Sequence, residues 1–99
     1  MHTAYLLMGG NLGNRLEYLR EAAALVSRLA GQLTAASSIF ETEAWGNTDQ
    51  NPFLNQVIAI RTGLAAADLM TLLLSIEEDM GRLRQELYGP RTIDIDILF

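Results

Sequence analysis

The sequence contains no cysteine and no lysine, and its only histidine is His2. The absence of cysteine fits a reducing compartment. Because the one histidine lies at the N-terminus, we expect neither a serine-type catalytic triad nor a metal site built from histidines. Without lysine, the glycine-rich segment GGNLGN cannot be a Walker A loop, and Asn11 breaks the dinucleotide-binding pattern G-x-G-x-x-G. We interpret this segment as a tight turn between a strand and a helix.

Long apolar runs and net positive charge are also missing. No segment approaches the length of a membrane span, and no basic region followed by an apolar run resembles a signal peptide. We therefore expect a cytoplasmic protein without a membrane partner. The net charge of −5 argues against nucleic-acid binding.

The positive charges themselves are unusual, because all seven are arginines. Arg82, Arg84 and Arg91 fall within ten residues of one another. Such a cluster in an acidic protein indicates a small anionic ligand, although a solvated basic loop or, for the first two, charges at a helix end would leave the same pattern.

The length predicts one small domain over residues 1–99, and 49% of the residues are hydrophobic, which is enough for a core without disulfides. The order of its elements predicts the α+β class. Apolar alternation and helical spacing predict strands at 3–8, 33–41, 55–62 and 92–99 and helices at 16–30 and 69–80. Residues 43–53 and 82–90 form the loops. The order β-α-β-β-α-β is typical of a ferredoxin-like fold, an antiparallel sheet with two helices on one face.

The last strand carries two aspartates, Asp94 and Asp96, on one face, with their Cα atoms roughly 6.5–7 Å apart. Their negative charges repel, and divalent cations beside a phosphate chain would remove that repulsion. A lone D-x-D pattern is more often a solvated sheet face. The preceding turn shifts the interpretation towards phosphoryl transfer, because Gly89, Pro90 and Arg91 place a guanidinium beside the carboxylates.

Other candidates surround the loops. Asn55 opens a strand and could hydrogen-bond a flat heterocycle that Phe53 and Trp45 cover, although a strand-start asparagine beside two core aromatics is the simpler interpretation. Glu77 lies in an acidic run that is usually a solvated helix face, yet its place on the helix puts it near the arginines.

Taken together, these segments resemble the bacterial folate-pathway family of 6-hydroxymethyl-7,8-dihydropterin pyrophosphokinases. The resemblance runs along the whole chain. It is carried by GGNLGNR, SSIFETEAWG, NPFLNQV, IEEDMGRLR and, most specifically, YGPRTIDIDILF.

The resemblance implies that ATP donates its pyrophosphoryl group to the hydroxymethyl oxygen of the pterin and leaves as AMP, as a step of tetrahydrofolate biosynthesis. It implies two Mg²⁺ ions, with ATP and 6-hydroxymethyl-7,8-dihydropterin as the small-molecule partners. A monomer is expected.

The family's site residues carry over position by position. Asp94 and Asp96 match the metal ligands, and Asp94 also borders the substrate. Arg82 and Arg91 match catalytic-loop arginines that bind the triphosphate, and Arg84 and Glu77 match positions nearer the nucleotide. The pterin positions are Thr42 and Asn55 for hydrogen bonds, Phe53 for stacking and Trp45 for loop contact.

The sequence departs from the family pattern at three points. Tyr88, a nucleotide-binding position, stands where the family usually has tryptophan, and Ala44 stands where proline is common. The third departure is length, since the family's chain continues beyond this point by roughly a third of its length. We expect the chain to lack its C-terminal part, to bind ATP poorly, and to expose an edge that could drive self-association.

The sequence leaves two alternatives open. A nucleotidyltransferase also combines a Gly-Gly turn with a D-x-D strand, although there the two motifs usually lie close together. A fragment of the fold that binds pterin or metal without catalysis is the other alternative.

Overall fold

The structure, a computed structural model, describes residues 1–44, 50–81 and 92–98. Seven elements follow one another along these residues. They are strands β1 (His2–Gly10), β2 (Gln32–Ala36), β3 (Phe40–Thr42), β4 (Phe53–Thr62) and β5 (Asp94–Ile97) and helices α1 (Arg15–Leu29) and α2 (Ala66–Asp79).

The strands form one antiparallel sheet in the order β2-β4-β1-β5, and β3 also pairs with β4. The longest pairing joins β1 to β4, from His2 opposite Thr62 to Gly10 opposite Leu54. Since β1 and β4 lie at the centre of the sheet and both helices pack on it, the predicted ferredoxin-like α+β fold is confirmed.

The predicted strand at 33–41 is divided into two short strands, β2 and β3, which pair with successive parts of β4. Ser37 lies between them. Its N–H donates to the Val57 carbonyl at 2.8 Å, and its hydroxyl accepts from the Val57 N–H at 2.9 Å. The Ser37 hydroxyl therefore takes the place of a backbone carbonyl. The Val57 N–H on β4 keeps a hydrogen-bond acceptor although the pairing of the strands is interrupted here.

Both helices begin and end close to the predicted positions. Asn14 caps α1, since its Oδ1 accepts from the Glu17 N–H at 3.2 Å and its Nδ2 donates to the Glu17 carboxylate at 3.1 Å. Gly81 follows α2 with a φ of +86°, a left-handed conformation that glycine adopts without strain. The helix at α2 begins without a side-chain cap at Ala65.

One core cluster fills the space between the helices and one face of the sheet. Alternate residues of β1 and β4 supply the sheet side, and helix positions at i, i+3 and i+4 supply the other. Among its fully buried members are Leu6, Met8, Ile58, Ile60, Leu19, Val26, Leu69, Leu73, Ile76 and Ile93. The remaining alternate residues therefore lie on the opposite face, called here the open face. Within the described residues, neither helix has the length and apolar character needed to cross a membrane.

Candidate functional site

The open face brings the described candidate residues together in rows that cross the strands. Gly9 on β1 lies opposite Asn55 on β4 and opposite Asp94 on β5. Directly opposed residues share a face of the sheet, so Asn55, Gly9 and Asp94 form one row. Two strand spacings separate the ends of the row, which places the Cα atoms of Asn55 and Asp94 roughly 10 Å apart.

The pterin candidates meet at the β3 side of this row. Thr42 lies opposite Phe53, and the Asn55 Nδ2 donates to the Thr42 hydroxyl at 2.8 Å. The same Nδ2 also contacts the carbonyls of Phe40 at 3.4 Å and Phe53 at 3.5 Å. Because those carbonyls can only accept, the donor end of the amide faces β3 and Oδ1 turns towards β1. Asn55 is 8% exposed, and Phe53 is the first residue of β4 rather than the end of a loop.

The aspartate candidates lie on the other side of the same face. Asp94 is half-buried and Asp96 is exposed, whereas Ile95 between them is buried in the core. The two aspartates therefore lie on the same face of the sheet, as the sequence predicts. The donor set also fits Mg²⁺, a hard cation that accepts one or two carboxylates and completes its shell with water and phosphate oxygens.

Glu77 lies inside the fold rather than on a solvated helix face. Its side chain is buried at 3% exposure, and its Oε2 accepts the Ile95 N–H at 2.7 Å. The Leu98 N–H donates to the Tyr5 carbonyl, so the alternation of the ladder turns the Ile95 N–H away from β1. Glu77 therefore accepts from a donor at the edge of the sheet that the described residues form, and this donor belongs to the residue between the two aspartates.

Two residues outside the predicted site hold the chain that enters β4. Asn11 is 1% exposed, and its Nδ2 donates to the Gln50 side chain at 2.9 Å and to the Asn51 carbonyl at 3.0 Å. Arg15 donates to the Pro52 carbonyl at 2.9 Å and pairs with Glu41 at 3.0 Å. Both residues belong to the segment GGNLGNR, which the sequence predicts to be a tight turn between a strand and a helix.

A cavity of about 310 Å³ lies beside these contacts. Its described lining is Glu43, Ala44, Gln50 and Pro52, which continue from Thr42 and lead into Phe53. Its size falls at the lower end of the range for small-molecule pockets. A wider hollow of about 630 Å³ lies on α1, and its lining among the described residues comes from that helix and its cap alone.

Several predicted site residues lie outside the described part of the chain. They are Trp45, Arg82, Arg84, Tyr88 and Arg91. The structure thus brings together Thr42, Phe53, Asn55, Asp94 and Asp96 on one face, with Glu77 behind β5, and their assigned roles remain predictions.

The chain matches known proteins along nearly its whole length. A family model described as 7,8-dihydro-6-hydroxymethylpterin-pyrophosphokinase matches residues 5–99. The chain is 45% identical over 96 residues to a 2-amino-4-hydroxy-6-hydroxymethyldihydropteridine pyrophosphokinase of Bacillus subtilis, covering 96% of this chain and 58% of that protein. A protein of the same name from Methylorubrum extorquens is 41% identical over 99 residues, covering 99% of this chain and 63% of its own length.

A plant protein also contains a similar segment. The mitochondrial folate synthesis bifunctional protein of Arabidopsis thaliana is 41% identical over 98 residues, which cover 99% of this chain and 18% of that protein. The chain therefore spans about 60% of the length of the two bacterial relatives above and a much smaller share of the bifunctional one.

Proposed function

The chain belongs to the 7,8-dihydro-6-hydroxymethylpterin-pyrophosphokinase family, and we propose that its protein transfers pyrophosphate from ATP to 6-hydroxymethyl-7,8-dihydropterin in tetrahydrofolate biosynthesis. The observation that carries the proposal is the shared row of the open face. Asn55, a heterocycle-binding candidate, and Asp94, a metal-binding candidate, lie on opposite sides of Gly9. A site for two substrates needs this arrangement, since the reacting groups must meet between them.

The β3–β4 side of the face is proposed to bind the pterin. The Asn55 amide is held by Thr42, so a flat heterocycle meets an amide whose orientation is already set. Phe53 lies beside this pair and offers a half-buried ring for stacking, and the chain around Trp45 is proposed to contact the same ligand. A preset amide loses little freedom on binding, which favours recognition.

Asp94 and Asp96 are proposed to hold two Mg²⁺ ions together with the phosphates of ATP. The bound ions would neutralise phosphate charge and orient the donor for in-line displacement. The chain's contribution is the placement of both carboxylates on one strand, with Glu77 bonded to the residue between them. Arg82 and Arg91 are proposed to bind the triphosphate, and Arg84, Tyr88 and Glu77 to lie nearer the nucleotide.

The proposed reaction is a displacement at the β-phosphorus of ATP. The hydroxymethyl oxygen forms a bond to that phosphorus, its proton passes to water, and the bond from the phosphorus to the oxygen shared with the α-phosphate breaks. AMP leaves with that oxygen and its electron pair. Because the nucleophile is a neutral alcohol and the donor is highly charged, positioning and charge neutralisation supply the catalysis.

We propose a cytoplasmic monomer whose partners are the two substrates, without nucleic acid or membrane. The observation behind the absence of a nucleic-acid partner is the net charge of −5.

The test is AMP formation from ATP, Mg²⁺ and 6-hydroxymethyl-7,8-dihydropterin. We expect pterin-dependent AMP from the wild-type protein and at least about a hundredfold less from Asp94→Asn, since a metal contact supplies several kcal/mol. Asp68→Asn is the matched control, because Asp68 is an exposed aspartate in the first turn of α2. It should retain the wild-type rate.

The products separate the proposal from its alternatives. Release of pyrophosphate instead of AMP would indicate nucleotidyl transfer. Pterin binding without any AMP would indicate a binding protein. Either result would overturn the proposed function.

A further inference from the structure

Gly9 occupies the middle of the row that joins the pterin side of the open face to the metal side. The hydrogen bond from Leu98 to Tyr5 marks these two residues as a hydrogen-bonded pair between β5 and β1. By alternation, Gly9 and Asp94 also form such a pair, so the N–H and C=O of Gly9 face β5. Gly9 and Asn55 then form a non-hydrogen-bonded pair, in which opposed side chains approach most closely.

The Asn55 side chain fills the space that a side chain at position 9 would need. A Cβ atom built on Gly9 would overlap the Asn55 Oδ1, and it would lie 3.4 Å from Cγ of the same residue and 3.5 Å from the Leu54 carbonyl oxygen. The distance from this Cβ to Oδ1 is shorter than any normal contact between non-bonded atoms. Since the backbone conformation at Gly9 is not left-handed, the missing Cβ rather than an unusual φ is what this position requires.

The orientation of the Asn55 side-chain amide follows from the neighbours of its nitrogen and of its oxygen. Nδ2 is bonded to Thr42 and faces two carbonyls on the β3 side, so Oδ1 can only point towards β1. Any group on Gly9 would push Oδ1 away, and the amide would have to break its bond to Thr42 to move. The glycine and the threonine together therefore define where an acceptor is presented to a ligand.

We propose that Gly9 is a positioning residue for pterin recognition, acting through Asn55. Without a side chain at Gly9, the Asn55 oxygen lies over β1 as a fixed acceptor for the N–H groups of a heterocycle. The surface between Asn55 and Asp94 also stays open, so the hydroxymethyl group can reach the phosphates. The identity of the ligand in this inference rests on the proposed function. The effect of Gly9 on the orientation of the Asn55 amide does not.

The first test compares Gly9→Ala with Gly63→Ala by titration with 6-hydroxymethylpterin and, separately, with a non-hydrolysable ATP analogue and Mg²⁺. A Cβ built at Gly63 meets no atom of residues 1–44, 50–81 or 92–98 within 4 Å, so that variant controls for the loss of a glycine. We expect Gly9→Ala to raise the pterin Kd at least tenfold while the nucleotide Kd changes less than twofold. A merely destabilising substitution would weaken both ligands.

The second test repeats Gly9→Ala in an Asn55→Ala background, which removes the overlapping amide. In the wild type we expect the substitution to lower the melting temperature. In the Asn55→Ala background we expect no loss or a small gain, because alanine restricts the unfolded chain more than glycine does. Pterin affinity, already reduced by Asn55→Ala, should fall no further.

Two results would overturn the inference. One is a pterin Kd for Gly9→Ala within twofold of wild type while Asn55→Ala weakens binding. The other is an equal loss of melting temperature in both backgrounds. A wild-type protein that binds no pterin would instead overturn the proposed function, and the melting comparison would still decide whether Gly9 seats Asn55.

Discussion

The Oε2 atom of Glu77 lies 2.7 Å from the backbone nitrogen of Ile95, the residue between Asp94 and Asp96. This contact joins the last turn of α2 to the edge of the described sheet. The Ile95 N–H cannot bond to β1, because the ladder turns it the other way. A buried carboxylate therefore satisfies the donor and fixes the strand that carries both candidate metal ligands.

Replacing Glu77 should loosen β5. In Glu77→Leu the buried Ile95 N–H has lost this acceptor, which costs about 1–3 kcal/mol, whereas Glu77→Gln keeps a carbonyl oxygen and should cost less. Chemical denaturation measures the free energy of unfolding, and amide exchange at Ile95 reports the strand directly. Glu78→Gln is the control, since Glu78 is exposed. Unchanged exchange at Ile95 in Glu77→Leu would show that the contact does not hold β5.

The substitution Asp96→Asn should have opposite effects on ATP binding with and without Mg²⁺. Without the ion, the carboxylate repels a triphosphate, so Asp96→Asn should bind ATP more tightly than wild type in EDTA. With Mg²⁺ present, Asp96→Asn should bind more weakly, because a metal ligand is lost. Titrations under both conditions give the two Kd values. A change in the same direction in both would argue against a metal role for Asp96.

A negative charge at position 11, introduced by Asn11→Asp, should destabilise the segment that leads into β4. Asn11 donates two hydrogen bonds from Nδ2, to Gln50 and to the Asn51 carbonyl. Asn11→Asp has no donor and faces oxygen atoms with a negative charge, so we expect a loss of about 1–3 kcal/mol in the free energy of unfolding. The same substitution at exposed Asn51 should change it by no more than about 0.5 kcal/mol. Equal effects at both positions would contradict the role of Asn11.

Removal of the α1 cap should cost about 1 kcal/mol. Asn14 accepts the Glu17 N–H, and alanine cannot do so, whereas serine can. Thermal or chemical denaturation of Asn14→Ala and Asn14→Ser measures the difference. The serine variant should stay within a few tenths of a kcal/mol of wild type, and a loss as large as that of Asn14→Ala would indicate that the contacts of the Asn14 amide nitrogen matter more than the cap.

Local features were predictable because they depend on neighbours in the sequence. Asn14 and Glu17 are three residues apart, and their hydrogen bonds form within one helical turn. Asp94 and Asp96 share a face because side chains alternate along any strand. The division of the strand at 33–41 was not predictable in this way, since Ser37 ends the first part by bonding to Val57 twenty residues further along the chain.

The sequence by itself determined the positions of the two helices and of the first, fourth and last strands, the shared face of the two aspartates and the family. Only the tertiary structure decided that Asn55, Gly9 and Asp94 form one row and that Glu77 bonds to Ile95. The reason is physical: strand register aligns residues on three separate segments, and a shift of one residue would turn Asn55 to the other face. Propensity and periodicity carry no information about that register. They therefore predict neither the orientation of the Asn55 amide nor the hydrogen bond between Ile95 and Glu77.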